Sequence, residues 1–203
     1  MGGLFVTFEG IDRAGKTTQA RLLAEALGEE AVAVREPGGT AVGERVRALV
    51  KDPSVELGPE AEALLFAAAR GELVRRVIRP ALEAGRVVVS DRFLDSSLAY
   101  QGVGRGLGVE EVAGVNEFAT GGLVPDLTFL LVLDPEAAGA RGGEDDRFEG
   151  EGHALQAAVL AGYEELARAD PGRWRRLEAS RAASEIHAEV LAAVESARSG
   201  APA

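Results

Sequence analysis

The octapeptide Gly10-Ile11-Asp12-Arg13-Ala14-Gly15-Lys16-Thr17 fills every fixed position of the pattern Gly-x-x-x-x-Gly-Lys-Ser/Thr, and it restricts the fold more than any other feature of the chain. Such a loop is useful only where a strand delivers it and a helix leaves it. Both flanks comply: Gly3 to Phe8 (GLFVTF) is a compact apolar run rich in β-branched and aromatic residues, and Thr17 to Leu27 is amphipathic. Gly10 and Gly15 let the backbone turn its N–H groups toward a phosphate, and the helix that follows adds its positive N-terminal end. Lys16 reaches the outer phosphates, the Thr17 hydroxyl suits Mg²⁺, and Ile11, Ala14 and Thr18 complete the wall of the cradle. Lys16 and Lys51 are the only lysines, so a lysine here, with every other cation an arginine, reads as a compact point charge placed for its role. The expected ligand is a nucleoside triphosphate.

The unit then repeats. Ala31 to Val34 is a second short apolar run, ended by the turn-rich REPGGT at Arg35 to Thr40, and Val42 to Val50 resumes helical spacing. Glu60 to Glu83 is a long helical stretch that Pro80 should kink or divide. Arg86 to Ser90 (RVVVS) and Leu127 to Leu133 (LTFLLVL) have the near-continuous apolar character of strands buried on both faces, Trp174 to Leu177 makes a short fifth, and Ala182 to Ser196 is helical. Alternation at this spacing predicts an α/β protein: a three-layer, doubly wound P-loop fold on a five-stranded parallel sheet, with ligands beyond the carboxyl ends of the strands. No linker or repeat divides residues 1–203, so one domain is expected, with a frayed tail over 199–203.

Asp91, at the end of the third strand, supplies the carboxylate that usually accompanies such a loop and holds Mg²⁺ directly or through water; capping the helix that begins near Phe93 is its compatible second use. A guanine-specific switch is disfavoured. It would carry Asn-Lys-x-Asp after a late strand, whereas the only asparagine, Asn116, precedes Glu117 and Phe118. Arginines gather instead at loops of the ligand edge, namely Arg13, Arg35, Arg47, Arg70, Arg92, Arg141 and Arg147, as a reaction between two anionic substrates requires.

Composition narrows the rest. With 33 Asp and Glu against 22 Lys and Arg, the net charge is −11, which opposes non-specific binding to nucleic acid. The absence of cysteine excludes disulfides and thiolate zinc sites, and His153 and His187 are too few for a histidine metal cluster, so any metal should be a hard cation on oxygen. No apolar run approaches a membrane span. Met1 to Gly10 lacks the basic flank and cleavage site of a secretory signal, so a cytoplasmic location is expected.

Four ordered motifs, FEGIDRAGKTT at Phe8 to Thr18, REPGGT at Arg35 to Thr40, LLFAAAR at Leu64 to Arg70 and DRFLDSSLAYQG at Asp91 to Gly102, together resemble the thymidylate kinase family, whose members phosphorylate dTMP with ATP. Asp146-Arg147-Phe148-Glu149 is similar to the family's lid, here about 139–151. The resemblance implies roles by position. Phe66 would stack on thymine and Arg70 would bind its carbonyl edge, as residues four apart on one helix face allow. Arg92 would clamp the acceptor phosphate, Glu36, Pro37 and Arg47 would line the monophosphate pocket, and Ser97 and Gln101 would meet the base. Tyr100 would lie beneath the sugar and leave no room for a 2′-hydroxyl, while Asp12 would contact the 3′-hydroxyl. Lys16, Arg13, Asp91 and Arg92 become the expected catalytic set, with Thr17 and Asp91 on Mg²⁺ and Arg141 and Arg147 beside ATP; a homodimer packed through helices is also implied. Two departures stand out. Ala69 replaces the acid of the usual Ala-Asp-Arg, and the lid is Gly-rich and acidic, so the catalytic arginine is assigned to Arg13 of the loop rather than to the lid.

Overall fold

The computed structural model describes residues 2–142 and 152–199. Its five strands are β1 (Leu4–Glu9), β2 (Ala31–Arg35), β3 (Val87–Asp91), β4 (Leu127–Val132) and β5 (Trp174–Glu178), all parallel in the order β2-β3-β1-β4-β5. Register follows the apolar runs. Phe8 stands beside Asp91 on one side and Phe129 on the other, which brings the carboxyl ends of β1, β3 and β4 to one edge. β3 and β4 are buried almost throughout, as central strands must be, while edge strand β2 is only half covered. Alternation along the strands sends side chains to two cores: Phe5 and Val88 meet Leu73, Val74, Ile78 and Phe93, whereas Val6, Phe8, Val87 and Val89 join Leu23, Phe129 and Val190.

The described helices are α1 (Lys16–Leu27), α2 (Ala41–Lys51), α3 (Pro59–Leu73), α4 (Arg79–Glu83), α5 (Leu94–Ser97), α6 (Val109–Thr120), α7 (Pro135–Ala140), α8 (His153–Ala169) and α9 (Ala183–Ser199). Pro80 does not divide its helix. Its missing N–H and bulky ring are absorbed one turn earlier, where Val74–Ile78 winds as a wider π-helical turn that joins α3 to α4. A second π turn, Leu98–Gly104, extends α5 and carries Tyr100 and Gln101 inward, a device that residue spacing did not announce. Ser199 is the last residue of α9 rather than the start of a frayed tail, and residues 200–203 lie outside the described residues. Of the expected lid, 143–151, with Arg147 and the Asp-Arg-Phe-Glu run, also lies outside them. No helix among the described residues is long and apolar enough to cross a membrane.

Candidate active site

The loop between β1 and α1 closes over the sheet edge because its glycines can go where other residues cannot. Gly10 has φ 139°, and a Cβ there would lie 2.5 Å from the Leu131 carbonyl oxygen; Gly15 has φ 100° and opens α1 without a side-chain cap, leaving the first N–H groups of the helix for a ligand. Two arginines share the left-handed region without being glycine, Arg13 at φ 62° and Arg92 at φ 73°. Such residues cost roughly 1–2 kcal/mol and persist only where surrounding contacts over-determine them. Around Arg92 these contacts are visible: Arg92 N–H donates to Phe8 O at 3.0 Å, and Ser90 Oγ donates to Arg92 O at 2.6 Å.

Lys16 is buried and donates to Ile11 O at 2.6 Å. Burial, and then repulsion from Arg92, hold its ammonium down at about 8, against the pull of Asp12, Asp91 and Glu9. Thr17 Oγ1 donates to Asp91 Oδ2 at 2.5 Å, so the two oxygens expected to serve a cation meet across 74 residues of sequence. The pair fits Mg²⁺ in kind. Both atoms are hard oxygens, and among the described residues no cluster of three or more His, Cys, Asp or Glu could chelate by itself, which leaves most of the coordination shell to phosphate and water. Thr18 is exposed on the first turn of α1, and Ile11 and Ala14 are buried beneath the loop. Arg141, at the end of α7, donates to Arg13 O at 3.0 Å and Ala179 O at 2.6 Å, bracing the loop from outside.

A cleft of about 290 Å³ runs from the loop along the sheet edge, lined by Asp12, Arg13, Lys16 and Thr17 at one end and by Phe66, Ser97, Tyr100 and Gln101 at the other, with Glu36, Pro37, Arg47, Asp91 and Arg92 between. Arg92 is the hub. Its Nη1 donates to Gly10 O (3.1 Å), Ser96 Oγ (3.0 Å) and Tyr163 Oη (3.2 Å), its Nη2 to Asp12 Oδ1 (2.5 Å) and Tyr100 Oη (3.3 Å), and its guanidinium lies 5.0 Å from the Tyr100 ring centre. Burial alone would raise the Asp12 carboxyl; Arg92 and Lys16, helped by hydrogen bonds from Gln156 and Tyr100, bring it down to about 2. Arg47 Nη1 donates to Pro37 O at 3.1 Å, and Gln101 Nε2 donates to Glu62 Oε1 at 2.9 Å.

Arg70 does not line the cleft. Although it follows Phe66 by one turn, its guanidinium is buried beneath the pocket wall with every N–H directed at protein: Nε to Glu36 Oε2 (2.7 Å), Nη1 to Ser97 Oγ (3.0 Å) and Asn116 Oδ1, and Nη2 to Phe93 O (3.1 Å) and Glu36 Oε2 (2.6 Å). As it stands, Arg70 builds the pocket rather than offering a donor into it. Glu36, which lines the cleft, has its Oε1 buried without a hydrogen-bond partner, and burial pushes this carboxyl up despite Arg70. Ala69, where the family acid is missing, is buried among apolar neighbours.

The sequence reading missed Glu9, Ser96, Gln156 and Tyr163. Glu9 is fully buried at the end of β1 and accepts from Phe93 N–H (2.7 Å), Ser96 Oγ (2.6 Å) and Tyr163 Oη (2.9 Å), thereby holding the corner that presents Arg92. Its place inside the FEG motif was the one available signal. Burial, then Asp95, raises Glu9 from 4.5 to about 7, against Ser96, Arg92 and the Phe93 N–H. Between these values the folded chain holds a proton that the unfolded chain has released, so the contribution of Glu9 to stability is full below 4.5 and is lost as pH rises to about 7. Glu9→Gln is expected to flatten the stability-versus-pH curve across that window in denaturant titrations; an unchanged slope would mean that Glu9 is already ionised there.

A parallel sheet of this order, a phosphate loop at the carboxyl end of its first strand, and a polar cleft running on from that loop define a P-loop kinase, a phosphotransferase on the P-loop NTPase fold. Comparison with known proteins narrows the class. The thymidylate kinase family model matches residues 8–190. Curated thymidylate kinases of Deinococcus radiodurans and Symbiobacterium thermophilum are 50% and 48% identical over 198 residues, covering 95% of this chain and 96% and 92% of those proteins. The crystal structure of thymidylate kinase from Ehrlichia chaffeensis superposes with a TM-score of 0.79 at 33% identity, over 96% of this chain and 99% of that one. The chain belongs to the thymidylate kinase family.

Proposed function

We propose that the chain transfers the γ-phosphoryl group of ATP to dTMP, giving dTDP and ADP, and that its site residues, apart from Arg70, which builds the pocket wall, act in the roles their motifs imply. The observation that carries this reading is the continuity of one cleft from Lys16 and Thr17 to Phe66 and Tyr100, with Arg92 between them, so that donor and acceptor phosphates would meet head-on. The acceptor is itself a phosphate monoester, largely dianionic near neutral pH, so no general base is needed to make a nucleophile. Repulsion between two polyanions is the barrier, and Lys16, Arg13 and Arg92 offset it. Thr17 and Asp91 would hold Mg²⁺, which when bound neutralises phosphate charge. Phe66 stacks on the base, Ser97 and Gln101 bound its edge, Tyr100 lies under the sugar and Asp12 takes the 3′-hydroxyl. The decisive assay is acceptor-dependent ADP release with ATP and each of dTMP, dUMP, UMP, dCMP, dAMP and dGMP. A clear preference for dTMP is expected; turnover of another monophosphate would overturn the base-pocket roles, and none with any acceptor would leave a nucleotide switch.

The same reading carries a homodimer and a cytoplasmic location, where free nucleotides and ATP are held. Support for the dimer lies on α3 and α6, which pack side by side and leave Leu64 at 58% and Phe118 at 92% exposure. Phe118→Asp is expected to weaken self-association by on the order of tenfold or more in sedimentation velocity. Unchanged association would move the interface away from α6.

A further inference from the structure

Asp12 is held from a direction that none of the family motifs predicts. Gln156, on the first turn of α8, is 144 residues away in sequence, yet its side-chain amide makes a two-point contact: Nε2 donates to Asp12 Oδ2 at 3.0 Å, and Oε1 accepts the Asp12 backbone N–H at 3.3 Å. The partners fix the orientation of the amide, since a backbone N–H can meet only the oxygen and an ionised carboxylate only the nitrogen. Tyr100 Oη reinforces the arrangement by donating to Asp12 Oδ2 at 3.0 Å and lying 3.5 Å from Gln156 Oε1, while Arg92 takes Asp12 Oδ1. An ionised carboxylate offers about four acceptor positions. Three are filled by Arg92, Tyr100 and Gln156, which leaves one for a ligand in the cleft that Asp12 lines.

We infer that Gln156 is a positioning residue that fixes the Asp12 carboxylate to receive the acceptor's 3′-hydroxyl, and thereby sets discrimination for a nucleotide carrying that hydroxyl. Without it, Oδ2 would keep only the Tyr100 hydroxyl, which rotates about its C–O bond, and the Asp12 backbone N–H would lose its tie to α8, so the carboxylate could swing on the Arg92 fork. The backbone half of the clamp matters equally, because it ties the loop that carries Asp12 to α8 and so limits rotation of the whole residue. The inference rests on the proposed contact between Asp12 and the 3′-hydroxyl.

The test compares dTMP with its 3′-deoxy analogue in the wild-type protein, Gln156→Ala, Gln156→Glu and Asp12→Asn, recording kcat/KM for each acceptor and KM for ATP. Gln156→Ala is expected to lower kcat/KM for dTMP about fivefold, the worth of one hydrogen bond, while that for the 3′-deoxy analogue stays within about twofold and the ATP KM is unmoved. Gln156→Glu should lose more, because it replaces a donor with a second carboxylate. An equal fall for both acceptors in Gln156→Ala, or no fall for either, would overturn the inference. Asp12→Asn separates the two layers: a loss confined to dTMP upholds the contact with the hydroxyl, whereas equal losses on both acceptors overturn that contact and the inference with it.

Discussion

Lys16→Ala is expected to lower kcat by about three orders of magnitude while leaving the protein folded and at least as stable as before. The rate effect follows from the proposed placement: Lys16 is the only lysine in the loop and would sit where charge builds on the outer phosphates, and removing one preorganised cation or donor of this kind costs roughly 10²–10³ in rate, more where water is excluded. The stability effect follows from its burial. A lysine held at about 8 in the folded chain against 10.5 unfolded is destabilising at neutral pH, where it must be charged in a place that resists charge. Alanine removes that penalty along with the function. Steady-state kinetics and a thermal melt on the same preparation test both halves; turnover within tenfold of wild type would remove Lys16 from the catalytic set, and a collapsed melting transition would recast it as a structural residue.

Arg13→Ala should cost nearly as much, on the order of 10²–10³ in kcat, with little change in KM for ATP, if the charge developing on the transferred group is met from within the loop. Arg13 lines the cleft that runs along the sheet edge and also a smaller one beside Pro135 and His153, and its carbonyl is held by Arg141. Because its φ of 62° suits glycine better than any other residue, Arg13→Gly is the informative companion. It removes the same guanidinium but relaxes the backbone, so equal losses in both variants assign the effect to the charge. Undiminished turnover in either would transfer the role to Arg141 or Arg147.

Much of this was legible in advance, and the reasons are local. The three central strands announced themselves as apolar runs because a parallel sheet buries both of their faces, the edge strands β2 and β5 less plainly because they are only partly covered, and the loop was legible because its chemistry is written in eight consecutive residues. The meeting of Thr17 with Asp91 could be anticipated because Asp91 ends β3 and Thr17 opens the helix that leaves the loop after the adjacent β1, at the same edge of the sheet. Arg70 was not legible in the same way. Its place one turn after Phe66 says that the two share a helix face, but its partners Glu36, Ser97 and Asn116 come from three other segments, and nothing near Arg70 encodes their arrival. Asn116 carried only negative information in the sequence, as the lone asparagine outside a guanine motif, whereas in the fold it buries its side chain against that arginine. Glu9 shows a different limit: a charged residue at the end of an apolar strand looks like the first solvated position, and only the closing of the Phe93 corner over it makes it buried.

The guanidinium of Arg92 already has an anion, and that anion is Asp12. In the proposed acceptor pocket Asp12 is thus an internal placeholder, and an incoming phosphate would enter by exchange rather than by filling an unsatisfied site. Each new contact to Arg92 is set against one surrendered, so a bare phosphate or sulfate ion gains little, and only a ligand that also stacks on Phe66 and engages Asp12 itself can recover the difference. On the proposed function, the arrangement would turn the most strongly charged point of the pocket into a filter against inorganic anions.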